Sequence, residues 1–334
     1  MSGAALRPLS RIHGQVESVG ELVRLLREGG RMPHALLFHG PSGVGKATAA
    51  RALAAALYCR ARVPASPDPC GQCPPCRRMA AGSHPDFVLA EVEEGKTQVS
   101  IEQIREITRF IALTALEEGV DEAGAVAGGW KMAVVDDASR MNDASANALL
   151  KTLEEPPPRS LLILITNRPG RLLPTIRSRC RSFRFAPLSD AALRRVLNEE
   201  MGGLNESALV QALELAEGSA AQGLAICGGD AMNWLGEFRR LVDGLPRGTL
   251  AVLCEGAALW SEKERYVAAA LFLQGWLRKQ SKTAVAQGGD AAGWLALTAE
   301  AAALLEKSAV FNLNRALTLE TLFIRIARFQ GAGF

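Results

Sequence analysis

The segment Gly40 to Ala47 reads GPSGVGKA, and it restricts the fold more than any other stretch of the chain. Gly40, Gly43 and Gly45 let the backbone curl until consecutive amide N–H groups point into one cavity. Lys46 then reaches toward the β- and γ-phosphates of a nucleotide, and the dipole of the following helix adds positive potential. Such a loop needs a buried strand before it and a helix after it. The apolar run Ala35 to Phe38 and the Ala/Leu-rich stretch to about Tyr58 are expected to supply them. A hydroxyl residue ordinarily follows the lysine and binds Mg²⁺; here Ala47 does, with Thr48 one step late. The loop is therefore expected to hold phosphate better than it supports hydrolysis.

Cys59, Cys70, Cys73 and Cys76 come a few residues after that helix, the last three within PDPCGQCPPC. Turns rich in Pro and Gly can fold these sulfurs around one tetrahedral Zn²⁺ with no ligand position left open, which makes the expected site structural. Disulfides fit less well: no signal peptide is expected, and Cys180, Cys227 and Cys254 remain in apolar settings typical of buried free thiols. The expected compartment is the cytoplasm.

At 334 residues the chain has room for two or three domains, and its net charge of +3 is too small to mark a nucleic-acid binder. No apolar stretch is long enough to span a bilayer, so no membrane partner is expected. Glu117 to Gly129 (EEGVDEAGAVAGG) reads as a surface loop. Strands are expected near Leu36, Phe87, Met132, Leu161 and Phe183, alternating with helices in an α/β pattern. Ser100 with Gln103 makes a capping box, and Ser189 caps the first helix after Pro187. From Asp230 onward the patterning is helical, including Lys263 to Lys279 and Ala309 to Phe329, with Trp234, Trp260, Trp276 and Trp294 as packing residues.

Lys131 to Asp137 (KMAVVDD) reads as a buried strand ending in two carboxylates. In P-loop proteins the first acid, here Asp136, holds Mg²⁺, and the second orients the attacking water. Asp137 stands where a longer Glu is usual. A helix over Asp143 to Leu153 follows, with the words NALLKTLEEPPP; then comes a strand, Leu161 to Thr166, followed by Asn167 and LLPTIRSRC (Leu172 to Cys180).

The order of P-loop, four-Cys insertion, Asp-Asp strand, NALLKTLEEPP and TIRSRC resembles the bacterial DNA polymerase III clamp-loader subunits of the AAA+ class, over about Leu9 to Leu224. The resemblance implies an α/β AAA+ P-loop domain with a parallel sheet and a zinc-binding insertion (1–187, with the Cys module at 59–76). A small helical lid (188–228) and an all-α C-terminal collar (229–334) would follow. It also implies a nucleotide site of Gly40, Pro41, Ser42, Gly43, Val44, Gly45, Lys46, Ala47, Thr48, Asp136, Asp137, Thr166 and Asn167. ATP and Mg²⁺ there would be bound weakly or not hydrolysed. The partners implied are the gamma/tau and delta subunits in a five-subunit ring in the replisome, and through it the sliding clamp and primer-template DNA.

Two kinds of subunit in this family carry the zinc module, the gamma/tau ATPase motor and the delta-prime stator. Ala47, the Asp136-Asp137 pair and Gly218-Ser219-Ala220-Ala221-Gln222, which lacks the lid arginine, all depart from the motor pattern; the tripeptide His84 to Asp86 and GGWK resemble the stator. Ser178-Arg179-Cys180 matches the motif whose arginine projects toward ATP on the neighbouring subunit, and a planar, permanently charged fork suits that task. The alternatives are a gamma/tau-type motor and a stand-alone P-loop kinase or NTPase with a zinc ribbon.

Overall fold

The computed structural model describes residues 6–27, 32–63, 66–93, 96–116, 118–120, 126–228, 230–247 and 249–331. The chain divides into two compact units, Met1–Leu188 and Ser189–Phe334.

In the first unit the elements run α1 (Val16–Arg27), β1 (Ala35–His39), α2 (Lys46–Tyr58), α3 (Pro74–Ala80), β2 (Phe87–Ala90), α4 (Ile101–Ala112), β3 (Glu118–Val120), β4 (Val126–Gly128), β5 (Lys131–Val135), α5 (Asp143–Glu154), β6 (Ser160–Thr166), α6 (Pro174–Arg177) and β7 (Arg181–Arg184). The five-stranded sheet has the order β2-β5-β6-β1-β7, and every pairing is parallel. Parallel strands covered by helices on both faces must be apolar on both, hence the unbroken runs ALLF and LLILI. Side chains still alternate. Leu36, Phe38, Met132, Val134, Leu161 and Ile163 pack with α1 and α2, while Leu37, Ala133, Val135, Leu162 and Leu164 pack with α4 and α5. This is the α/β architecture that the AAA+ resemblance implies. The alanines of α2 are buried almost all round the helix, which brings its backbone close to the sheet.

One polar node ties the end of α2 to the sheet. Lys131 and Asp86 form an ion pair at 2.7 Å with side chains 5% and 0% exposed. Asp86 Oδ1 also accepts from the Leu116 amide at 2.9 Å, its carbonyl accepts from the Tyr58 hydroxyl, and His84 stacks on Tyr58 at 3.9 Å between ring centroids. Tyr58 is the residue before the first cysteine of the cluster.

Sequence reading and structure part in a few places. The expected loop over Glu117 to Gly129 contains an antiparallel hairpin, β3 with β4, in the register Glu118↔Gly128 and Val120↔Val126; residues 117 and 121–125 lie outside the described residues. Its glycines hid a pairing that the backbone hydrogen bonds decide. The second unit is helical: α7 (Asp190–Met201), α8 (Glu206–Ala216), α9 (Ala220–Cys227), α10 (Ala231–Gly244), α11 (Leu250–Leu259), α12 (Lys263–Gln287), α13 (Ala291–Phe311) and α14 (Arg315–Phe329). The helix expected over Ala309 to Phe329 is broken: Asn312 adopts a left-handed conformation (φ 49°) that ends α13, and the Asn314 side chain caps α14. Asparagine tolerates both roles better than most residues. The Ser100–Gln103 capping box and the Ser189 cap form as expected.

Trp260 is fully buried against Phe238, at 4.9 Å between centroids. Trp234, Trp276 and Trp294 are half-buried, the last two meeting edge to face at 5.7 Å. Cys254, expected to be buried, is also half-buried.

Removing the Lys131 cation while keeping its bulk strands a buried carboxylate, which costs about 3–5 kcal/mol. Lys131→Met is therefore expected to lower the urea midpoint of the first unit sharply, whereas Lys96→Met, at an exposed pair, leaves it in place; equal midpoints would refute the assignment of Asp86–Lys131 as the node.

Candidate functional site

The two edges of the parallel sheet carry different chemistry. At the edge where the strands end, β1 runs into the P-loop. Gly40 has φ +142°, and a Cβ there would lie 2.0 Å from the Phe185 carbonyl oxygen, so a side chain is excluded by backbone rather than by a movable neighbour. Gly43 and Gly45 also have positive φ (74° and 100°), and α2 begins at Lys46. Gln15, which carried no motif signal, braces this loop: its side chain donates to the carbonyls of Val44 (3.3 Å) and Ala186 (2.7 Å) and accepts from the Ala186 amide (3.0 Å).

Lys46 is buried and donates to the Gly40 and Pro41 carbonyls, at 2.8 and 2.5 Å, closing the loop on itself. Burial lowers its pKa, and the nearby charges of Asp136 and Asp137 oppose that shift. Ala47 packs against the core, and Thr48 is exposed one helix position further round.

Asp136 follows β5, and burial raises its pKa, offset by the hydrogen bond from the Asp137 amide at 2.9 Å. Asp137 is folded back. It sits in a left-handed conformation (φ 54°), and its two carboxylate oxygens are taken by the Ser139 hydroxyl (2.6 Å) and by Arg140 Nε (2.8 Å). The shortness of its side chain is thus compounded by partners on its own turn. Thr166 is buried at the end of β6; its carbonyl accepts from the Gly40 amide (3.2 Å) and its hydroxyl from the Arg168 amide (3.0 Å). Asn167 is exposed beside it. Pro41 and Ser42 are exposed and Val44 is buried. The expected nucleotide-site residues on β1, β5 and β6 therefore end at one edge of the sheet.

Arg179 lies at the opposite edge. It precedes β7, whose first residue pairs with Leu36, whereas the P-loop begins at Gly40. Four residues of strand separate those levels by roughly 13 Å. The turn holding Arg179 is anchored by buried Ile176 and Cys180. Its guanidinium donates to the Thr175 carbonyl (2.9 Å) and to Glu154 Oε1 (2.7 Å). Arg181, two residues on, pairs with Glu21.

The four sulfurs of Cys59, Cys70, Cys73 and Cys76 lie within 4.8 Å of one another. Tetrahedral Zn²⁺ with bonds of about 2.3 Å sets its sulfurs roughly 3.8 Å apart, so the cluster fits a metal with little adjustment. The amides of Cys70 and Cys73 donate to the sulfurs of Cys59 (3.2 Å) and Cys70 (3.3 Å). A hydrogen bond from Cys76 pulls the Cys59 thiol down to about 5 and pushes Cys76 up. Gly71 supplies the positive φ (74°) that turns the chain between Cys70 and Cys73, and α3 carries Cys76 inward beside buried Met79.

Residues 14–189 match the family described as DNA polymerase III, delta subunit. DNA polymerase III subunit delta' of Pseudomonas aeruginosa is 40% identical over 198 residues, 57% of this chain and 55% of that one. The chain belongs to the family of DNA polymerase III delta-prime subunits. The Escherichia coli delta' subunit is 39% identical over 207 residues, 62% of this chain and 58% of that protein, so the chain spans little more than half the length of these relatives. The tau subunit of Bacillus subtilis is 28% identical over 257 residues, 75% of this chain and 43% of that one. Among the described residues no helix is long and apolar enough to cross a membrane.

Burial pushes the Cys180 thiol up to about 12. Only the thiolate is alkylated, so at pH 8 the folded chain is expected to react at Cys180 at least about a hundredfold more slowly than the denatured chain. Mass spectrometry after iodoacetamide labelling measures it, and equal rates would show that the turn beneath Arg179 is not anchored.

Proposed function

We propose that this chain is a delta-prime-type stator of the DNA polymerase III clamp loader. It would act with gamma/tau and delta subunits in a five-subunit ring that places the sliding clamp on primer-template DNA in the bacterial cytoplasm. The observation that carries this reading is the position of Arg179. It stands at the edge of the sheet away from its own P-loop, out of reach of any phosphate bound there and open to a neighbour's. A cation aimed at the γ-phosphate of that neighbour stabilises the charge that builds as the phosphoryl group transfers.

Within the chain's own site, Gly40 to Thr48, Asp136, Asp137, Thr166 and Asn167 would hold ATP weakly and leave it unhydrolysed. The absent hydroxyl at Ala47 and the engaged Asp137 carboxylate support this. Residues 188–334 would divide into a lid (188–228) and a collar (229–334), the collar joining the ring. Zn²⁺ held by Cys59, Cys70, Cys73 and Cys76 would supply local folding energy to a loop with little apolar content. A gamma/tau-type motor is the second reading, favoured by the longer stretch over which the tau relative aligns.

In a reconstituted ring, Arg179→Ala is expected to cost on the order of a thousandfold at the one site it serves, and less in ring-wide turnover. Clamp loading should fall with it, and Lys46→Ala should matter much less. The reverse ranking, or robust ATPase from the isolated chain that Lys46→Ala abolishes, would favour the motor reading.

The freshly purified, reduced protein is expected to contain one Zn²⁺ per chain, and Cys73→Ser to loosen the module while the sheet stays folded. Elemental analysis without zinc would end that part of the proposal.

A further inference from the structure

Glu154 Oε1 lies at the tip of Arg179, accepting from Nη2 at 2.7 Å. The two residues are far apart in sequence and meet because both lie at the same edge of the sheet. Glu154 is the last residue of α5, which is held down by buried Leu149 and Leu153. The run Glu155-Pro156-Pro157-Pro158 ends the helix there, because a residue before proline is disfavoured in helical conformation. Arg179 rises from a turn fixed by its own amide, which donates to the Ile176 carbonyl at 3.1 Å, and by the buried side chains of Ile176 and Cys180. Both bases are therefore rigid, and only the side chains can adjust.

The pair does little for stability. The side chains are 35% and 50% exposed, and ion pairs at that exposure are weak. What the contact does is orient. Glu154 holds Nη2 and the Thr175 carbonyl holds Nη1 at 2.9 Å, two anchors that fix the plane of the fork. A guanidinium has further N–H donors beyond those two, so an incoming phosphate can be bound without breaking either contact. We infer that Glu154 is a positioning residue for the arginine finger, holding the Arg179 guanidinium ready for the neighbour's nucleotide. The inference rests on the finger reading of Arg179.

In the reaction served, a water oxygen bonds to the γ-phosphorus of the neighbour's ATP as the bond from that phosphorus to the β–γ bridging oxygen breaks. The electron pair leaves on ADP, and the water's proton passes to solvent. Arg179 stabilises the equatorial charge, and Glu154 takes part in no bond change.

The test is single-turnover ATP hydrolysis by the reconstituted ring, with clamp and primed DNA, carrying Glu154→Ala, Glu154→Gln, Arg179→Ala or the Glu154→Ala/Arg179→Ala double change. Glu154→Ala is expected to lower the rate at the affected site about fivefold, equivalent to about 1 kcal/mol, with the apparent KM for ATP and the melting temperature unchanged. Glu154→Gln keeps an acceptor oxygen and should recover most of the rate, and the double variant should be no slower than Arg179→Ala alone. A wild-type rate for Glu154→Ala beside an impaired Arg179→Ala overturns the positioning role and leaves the finger standing. A faster Glu154→Ala, the mark of a restraining latch, also overturns it, as does a further loss in the Arg179→Ala background or a lowered melting temperature. A wild-type rate for Arg179→Ala removes the finger and this inference together.

Discussion

The common direction of β6, β1 and β7 is the constraint on which the rest of the first unit depends. In a parallel sheet each crossover returns the chain to the edge from which the previous strand set out. Whatever follows a strand therefore gathers at one edge, and whatever precedes a strand gathers at the other. The P-loop after β1, Asp136 after β5 and Thr166 after β6 fall together for that reason. Glu154 and Arg179, before β6 and β7, fall together on the far side. The Gly40–Ala47 loop and Arg179, built on one sheet, are kept from meeting within one chain.

The interior makes this arrangement firm. Two apolar faces, one against the alanines of α2 and one against the isoleucines of α4, clamp the strands so that a register slip would expose buried residues. The loop itself is closed by contacts that a nucleotide would have to share or displace. Lys46 binds the carbonyls of its own loop, and Asp137 is held by Ser139 and Arg140. Both contacts are local and use functional groups that an active P-loop enzyme commits to phosphate and water. The departures at Ala47 and Asp137 thus agree with each other in geometry as well as in residue type.

The four-cysteine cluster is joined to this core through Tyr58 and the Asp86–Lys131 pair. Cys59 directly follows Tyr58, whose hydroxyl binds the Asp86 carbonyl. The cysteine loop is thereby linked to β5, the strand that begins at Lys131 and precedes Asp136. The tripeptide His84 to Asp86 is distinctive in the sequence, and the structure gives it a physical task, that of anchoring Lys131 in the interior.

By itself the sequence determined much of what depends on neighbours along the chain. The glycines and Lys46 of the loop, the spacing of four cysteines, the capping box at Ser100 and the apolar strands are legible because their partners lie within a few residues or in the same repeating pattern. It missed the β3–β4 hairpin and the break at Asn312, where glycine and asparagine allow several backbone states and pairing chooses among them. Contacts that cross the sheet were beyond it. Glu154 with Arg179, Asp86 with Lys131 and Gln15 with Ala186 join segments whose separation in sequence says nothing of their distance in space. Only the tertiary structure decided them, because strand order and direction determine which loop ends share an edge.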